Sequence, residues 1–109
     1  MAGMHPTQHT QNNFPAALKD ARTSLGLAQE AFSLASSRTY VSSLERGIKS
    51  PTLSKIDTLA DVLGLHPLTL LTLAYLQDRR TQSAEALMAR VAQELRLMLR
   101  ESNSGKADR

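Results

Sequence analysis

Three glycines divide the middle of the chain into short segments whose apolar residues recur with helical spacing. Gly26, Gly47 and Gly64 each follow such a segment, and glycine often ends a helix because it adopts the left-handed conformation easily. Pro51 cannot continue a preceding helix, whereas Pro67 suits the first position of a new one. No segment shows the alternation of a strand. The sequence therefore predicts an all-α fold of short helices.

The apolar spacing predicts five helices, over about residues 14–25, 28–34, 38–46, 53–63 and 68–76. Ser37 and Thr52 are placed to cap the third and fourth of them. The fifth is apolar almost all round, so we expect it at the centre of the core. The inward-facing residues of the other four are expected to be Phe14, Leu18, Ala21 and Leu25; Ala28, Ala31, Phe32 and Ala35; Val41 and Leu44; and Leu53, Ile56, Leu59, Ala60 and Leu63.

Composition narrows the classes of function. The 109 residues suffice for one domain and one additional element, and a net charge of +3 is compatible with a nucleic-acid partner. The absence of cysteine excludes disulfides and thiolate zinc sites. No apolar run approaches the ~18 residues of a membrane span, and residues 1–13 lack the pattern of a secretory signal. We therefore expect a cytoplasmic protein without a membrane partner.

Catalytic and metal-binding patterns are missing from the sequence. His5 and His9 lie in a polar lead-in, and His66 is better explained as a helix-start residue ahead of Pro67. The serines do not occur in a Gly-x-Ser-x-Gly setting, and the carboxylates show no paired spacing typical of acid–base catalysis. We expect no enzyme, metal, cofactor or small-molecule ligand.

The predicted third helix has two chemically different faces. Val41 and Leu44 lie three residues apart on one face, where they can anchor the helix. The other face carries small hydroxyls and one arginine, which suit the recognition of base edges in a major groove. An ordinary solvated face is the alternative. The residues of this second face are Arg38, Thr39, Ser42 and Ser43.

The two ends of the chain differ from its middle. Residues 1–13 carry no formal side-chain charge and are predicted to be disordered. Residues 77–109 are predicted to form a C-terminal helix with a frayed tail from Ser102. Its apolar residues are spaced by 4, 3, 4 and 3, as in a coiled-coil seam. They either complete the monomer's core or, as we favour, form a homodimer interface: Ala84, Met88, Val91, Leu95 and Met98.

The order of these motifs resembles that of the lambda-repressor-like helix-turn-helix family, also called the Cro or xenobiotic-response-element type. The resemblance covers roughly residues 14–76. The motifs that carry it are Leu27-x-Gln29-Glu30, Tyr40-Val41-Ser42-x-Leu44-Glu45-Arg46-Gly47, Pro51-Thr52-Leu53 and Gly64-Leu65.

The resemblance implies a role for each matching residue. Arg38, Thr39, Ser42 and Ser43 would face bases from a recognition helix spanning about Arg38–Arg46. Glu45 would form a structural ion pair with Arg22. Gln29 would bind a phosphate with help from the positive end of its helix. The remaining contacts to the DNA backbone would come from Ser37, Tyr40, Arg46 and Lys49.

Two departures from the family pattern concern the second helix. About two residues fewer than usual separate Gln29 from Glu45, with Ser36-Ser37 in place of the common glycine-containing turn. The usual hydroxyl cap and its glutamate partner are Ala28 and Ala31, and a missing cap costs ~1 kcal/mol. The second helix is therefore expected to end early or to meet the third at a changed angle.

These observations favour a bacterial or phage transcriptional regulator that binds double-stranded DNA as a homodimer on an inverted repeat. The alternative is a protein-interaction module, such as an antitoxin or adaptor, that binds a protein partner through the helix over 84–99.

Overall fold

The computed structural model describes residues 12–76 and 83–107, with side chains as far as residue 100. Every regular element in these ranges is helical, so the predicted all-α class is confirmed. The chain divides into two compact units at Gln77 and Asp78. Most of the predicted disordered lead-in, residues 1–11, lies outside the described residues.

The first helix, α1, spans Phe14–Ser24 and begins two residues after the described chain starts. Asn13 caps it, because its side chain accepts a hydrogen bond from the Ala16 amide, and the Asn13 amide donates to the Ala74 carbonyl at 2.8 Å. Asn12 and Asn13, which the sequence analysis assigned to the lead-in, thus belong to the folded unit. Gly26, with φ of 73°, follows α1 as predicted.

The predicted second helix is wrong in both length and type. Only Gln29–Phe32 is helical, as a single 3₁₀ turn, and Ala28 at its start provides no side-chain cap. Without a cap, and with a short connection to the next helix, the backbone closes one tight turn and leaves Ser33 and Leu34 exposed. Phe32 alone is fully buried, whereas Ala28 and Ala31 are exposed and Ala35 is half-buried.

Helix α2 spans Arg38–Glu45, and its predicted ends are confirmed. The Ser37 hydroxyl accepts the Tyr40 amide at 3.0 Å. Gly47, with φ of 75°, follows the helix in the left-handed conformation. Val41 and Leu44 are fully buried, so the predicted anchors hold this helix on the core.

Helices α3, Leu53–Leu63, and α4, Pro67–Tyr75, complete the first unit. Thr52 caps α3 as predicted, and the ring nitrogen Nδ1 of His66 accepts the Leu68 amide at the start of α4. Helix α4 packs in the core as expected, through Leu70 and Ala74, although Leu68 and Tyr75 on its other side are exposed.

One hydrophobic core lies inside the first unit. Leu25 and Leu53, predicted to face inward, are exposed instead, because each stands at a helix end beyond the packed turns. Ala17 takes a core place that the sequence analysis did not assign. The buried residues of the cluster are Phe14, Ala17, Leu18, Ala21, Phe32, Val41, Leu44, Ile56, Leu59, Ala60, Leu63, Leu70 and Ala74.

The second unit contains helix α5, which spans Ala84–Ala107. The Ser83 hydroxyl accepts the Ala86 amide at 3.1 Å at the start of the helix. The backbone is helical as far as Ala107, so the tail predicted to fray from Ser102 is helical, and residues 108–109 lie outside the described part. Arg90 and Glu94 form an exposed ion pair one turn apart.

No single helix among the described residues is long and apolar enough to cross a membrane. Helices α3 and α4 reach that length and composition only when joined across a bend of 105°.

Candidate nucleic-acid interface

The outer side of α2 carries the polar residues predicted to contact DNA. Arg38 and Thr39 are exposed at its first turn, and Ser42 is half-buried one turn later. Their position follows from the burial of Val41 and Leu44, since residues on the opposite side of an anchored helix must point outward. The packing of α2 therefore presents this side to solvent.

A shallow concavity adjoins this side of the helix. Its volume is about 260 Å³. The 3₁₀ turn contributes Gln29 to its lining, and α2 and its C-terminal end contribute the rest: Arg38, Thr39, Ser42 and Arg46. All five are residues that the sequence analysis assigned to DNA contacts, and the structure places them around one depression with two arginines.

Ser43 does not belong to this surface. It is only 6% exposed, and its carbonyl accepts the amides of Ile48 and Lys49. The predicted base contact from Ser43 is therefore wrong. Ser43 is buried together with Val41 and Leu44, and its backbone carbonyl closes the turn into the following loop.

At its C-terminal end, α2 is tied to α1 by a bidentate ion pair, which confirms the predicted partnership. Arg22 Nε lies 2.6 Å from Glu45 Oε2, and Nη2 donates to Oε1 at 2.9 Å. The two side chains are only 12% and 4% exposed. Arg22 Nη1 also donates to the Leu27 carbonyl at 2.9 Å, so one guanidinium joins α1, the following loop and α2.

Burial and hydrogen bonding oppose each other at Glu45. Burial by itself raises the pKa of Glu45, but the hydrogen bonds from Arg22 and Gln29 and the charges of Arg22 and Lys19 outweigh it, so the pKa lies below its ordinary value of 4.5. The hydrogen bond to Glu45 likewise raises the pKa of Arg22 against the effect of burial. Both groups are therefore held in their charged forms.

Gln29 lines the concavity, but its side-chain amide also forms a hydrogen bond inside the protein. Its side-chain amide donates to Glu45 Oε1 at 3.0 Å, which leaves one amide hydrogen for a phosphate. Because Gln29 begins a 3₁₀ turn of four residues, the helix-end field expected to help it is much reduced.

A second cluster lies around Tyr40. The ammonium groups of Lys49 and Lys55 lie 5.8 and 5.2 Å from the centre of its ring, within cation–π distance. Tyr40 and Lys49 were predicted as backbone contacts, and the structure adds Lys55, which the sequence analysis did not assign. No spacing rule would have found Lys55, because the loop over 46–52 brings it to the ring.

The exposed ion pair between Arg38 and Glu30 was also missed. Arg38 Nε lies 3.0 Å from Glu30 Oε2, and the side chains are 68% and 60% exposed. The two residues are eight positions apart in sequence, so only the tight 3₁₀ turn brings them together. Glu30 therefore adds a negative charge beside the predicted base-reading arginine.

The described residues contain no cluster of three or more His, Cys, Asp or Glu side chains able to hold a metal ion. The surface formed by α2, the concavity and the Tyr40 cluster instead combines hydroxyls, cations and one amide. Such groups pair with phosphate oxygens and base edges.

Comparison with known proteins agrees with this geometry. A family model described as helix-turn-helix matches residues 18–70, which run from α1 into α4. No curated protein and no solved structure gives a significant match to the chain.

Proposed function

We propose that this chain is a sequence-specific transcriptional regulator, because residues 18–70 match the model of the helix-turn-helix family of the lambda-repressor and Cro type, a family of DNA-binding regulators. Helix α2 would be its recognition helix and would enter the major groove. The observation that carries the proposal is the polar outer side of α2, which is presented by buried anchors and joined to a concavity that contains two arginines.

Base recognition would come from the first turn of α2. Arg38 matches guanine best, since its guanidinium can donate to O6 and N7 together. Thr39 is exposed beside it, and Ser42 lies one turn further along the same side. With Ser43 buried, these three side chains are the proposed base contacts.

Contacts to the DNA backbone would fix the register of the helix in the groove. Arg46 and Lys49 follow α2 and are exposed. Tyr40 would hold Lys49 and Lys55 in place through its ring. Gln29 and the Ser37 hydroxyl would complete the set, each with one donor beyond its internal hydrogen bond.

We propose a homodimer as the active form, with α5 as the dimer interface. Its apolar side chains Met88, Val91, Leu95 and Met98 are between 37% and 66% exposed, and Ala84 is exposed in its first turn. Their spacing suits a two-helix seam. Two recognition helices related by a twofold axis would read an inverted repeat with half-site centres ~34 Å apart. A protein that binds such DNA would act in the cytoplasm.

Selection of bound sequences from a random duplex library tests the proposal. We expect an inverted repeat with a guanine in each half-site, and Arg38→Ala should relax selection at that guanine. Lys49→Ala should weaken binding to all sequences alike and reduce the slope of affinity against salt by about one. Recovery of random sequences with the wild type would exclude sequence-specific recognition.

The same exposed side chains of α5 favour a second candidate, a protein-interaction module such as an antitoxin or adaptor. An apolar helical stripe can bind a partner helix as readily as its own copy. Sedimentation of the purified protein separates the two, because a Leu95→Glu variant should convert a homodimer to a monomer. A wild type that is already monomeric, shifts no DNA and co-purifies with another protein in fixed ratio would favour the module.

A further inference from the structure

The carboxylate of Glu30 lies beside the surface that the proposed function assigns to DNA, in contact with Arg38. Glu30 belongs to the 3₁₀ turn, whereas Arg38 is the first residue of α2, and the pair joins the two elements at 3.0 Å. A negative charge at this position repels phosphate, so its presence beside a DNA-binding surface requires an explanation.

Stability does not explain the pair. Both side chains are more than half exposed, and exposed ion pairs contribute little to folding because water screens the charges. The buried pair Arg22–Glu45 already fixes α2.

The geometry of the guanidinium indicates a different role. The shortest contact between the two side chains joins Glu30 Oε2 to Arg38 Nε at 3.0 Å, on the side of the guanidinium nearest its aliphatic stem. The donors on the two terminal nitrogens of an arginine form a planar fork that matches the O6 and N7 acceptors of guanine. A carboxylate on the Nε side therefore restricts the rotation of the side chain without occupying its reading edge.

We propose that Glu30 is a positioning residue for specificity: it holds Arg38 oriented for guanine and repels phosphate from it. The proposal rests on the proposed DNA-binding function. Without Glu30, Arg38 can turn to any nearby phosphate and bind DNA of any sequence. Glu30 thus lowers affinity for random DNA and raises discrimination at the guanine that Arg38 contacts.

The experiment compares Glu30→Gln, which retains the shape of the side chain and removes its charge, with the wild type. Dissociation constants are measured on the selected site, on the same site with the Arg38-dependent guanine replaced, and on a random duplex. We expect affinity for random duplex to rise about two- to fivefold. Discrimination at the guanine is expected to fall about three- to tenfold.

Three further variants separate orientation from charge. Asp61→Asn in α3 removes an exposed carboxylate outside the site, and should leave discrimination unchanged. In an Arg38→Ala background, Glu30→Gln should no longer affect discrimination, because the side chain that Glu30 orients is gone. Glu30→Asp should restore part of the discrimination lost in Glu30→Gln.

Two results overturn the inference while leaving the proposed function intact. One is a Glu30→Gln protein that binds every duplex more tightly with unchanged discrimination, which would show a charge effect alone. The other is an equal loss of base discrimination from Glu30→Gln in the wild-type and Arg38→Ala backgrounds. A wild type with no sequence preference is a separate result, seen before any variant is made, and it would overturn the proposed function and this inference together.

Discussion

The two ends of α2 carry the same chemistry in opposite surroundings. At its C-terminal end, Glu45 forms a bidentate pair with Arg22, and the two side chains are 4% and 12% exposed. At its N-terminal end, Arg38 pairs with Glu30, and both side chains are more than half exposed. The comparison teaches that burial, and not the pairing itself, decides what an arginine–glutamate pair does for this helix.

The physical reason lies in the dielectric surroundings. A buried pair is strongly coupled, and removing one partner leaves an uncompensated charge in the interior. An exposed pair is screened by water and contributes little to the free energy of folding. The buried Arg22–Glu45 pair (the inner pair) therefore fixes the position of α2, while the exposed Arg38–Glu30 pair (the outer pair) can orient its arginine without fixing the helix.

The largest effect is expected from Glu45→Ala. The substitution strands the Arg22 guanidinium and removes the acceptor of the Gln29 amide, so the free energy of unfolding should fall by about 3 kcal/mol. Urea denaturation followed by circular dichroism measures the change. A loss below about 1 kcal/mol would show that the inner pair is no more tightly coupled than an exposed one.

At the other end of α2, Arg38→Ala should weaken DNA binding with little effect on stability. Binding to the selected site should weaken by about 1–3 kcal/mol, with little change on random DNA. The free energy of unfolding should change by less than about 1 kcal/mol. Titration of both duplexes by fluorescence anisotropy provides the measurement, and equal weakening on both would make Arg38 a backbone contact.

Two variants of Ser37 test whether its contribution to the stability of α2 can be separated from its contribution to DNA binding. Its hydroxyl accepts the Tyr40 amide, so Ser37→Ala should cost about 1 kcal/mol of stability. Ser37→Asp retains a capping oxygen but adds a negative charge, and should keep the stability while weakening DNA binding. If Ser37→Asp binds as tightly as the wild type, Ser37 does not face the phosphates.

The dependence of stability on pH tests the contribution of the Arg22–Glu45 pair to folding. The pKa of Glu45 lies below its ordinary value of 4.5, so folding favours the ionised form. Its contribution is present above about pH 4.5 and is lost as the pH falls through the lower pKa of the folded state. The stability difference between wild type and Glu45→Gln should therefore shrink below pH 4.5. A difference that stays constant down to acid unfolding would contradict this.

The smallest effect is expected from Glu30→Ala on stability. Loss of the exposed pair should change the free energy of unfolding by less than about 0.5 kcal/mol. Urea midpoints of the variant and the wild type, measured side by side, check it. A loss comparable with that of Glu45→Ala would remove the distinction between the two ends of α2.

Much of the fold and part of the site were predictable from the sequence. Local signals located α1, α2, α3 and α4, because their capping residues and apolar spacing act over a few positions. The residues of the first turn of α2 were also correctly placed, since Val41 and Leu44 set its orientation. The partnership of Arg22 with Glu45 came from the family resemblance, and the structure confirms it.

The predictions that the structure contradicts concern regions where capping and apolar-spacing signals were weak. The predicted second helix is only one 3₁₀ turn, because it has no side-chain cap and its connection to α2 is too short for a longer helix. Ser43 was predicted to face outward because of its hydroxyl and its place on the polar side of α2, but the structure buries it. The contacts of Lys55 with Tyr40 and of Glu30 with Arg38 were not predicted, because the connecting segments that bring these residues together have no periodic pattern.

Local sequence specifies that this chain forms short capped helices and that one of them carries hydroxyls and an arginine opposite two apolar anchors, because those properties depend on neighbours within one or two helical turns. Which arginine–glutamate pair is buried and which is exposed depends on tertiary packing, since burial is set by residues far apart in sequence that meet in the core.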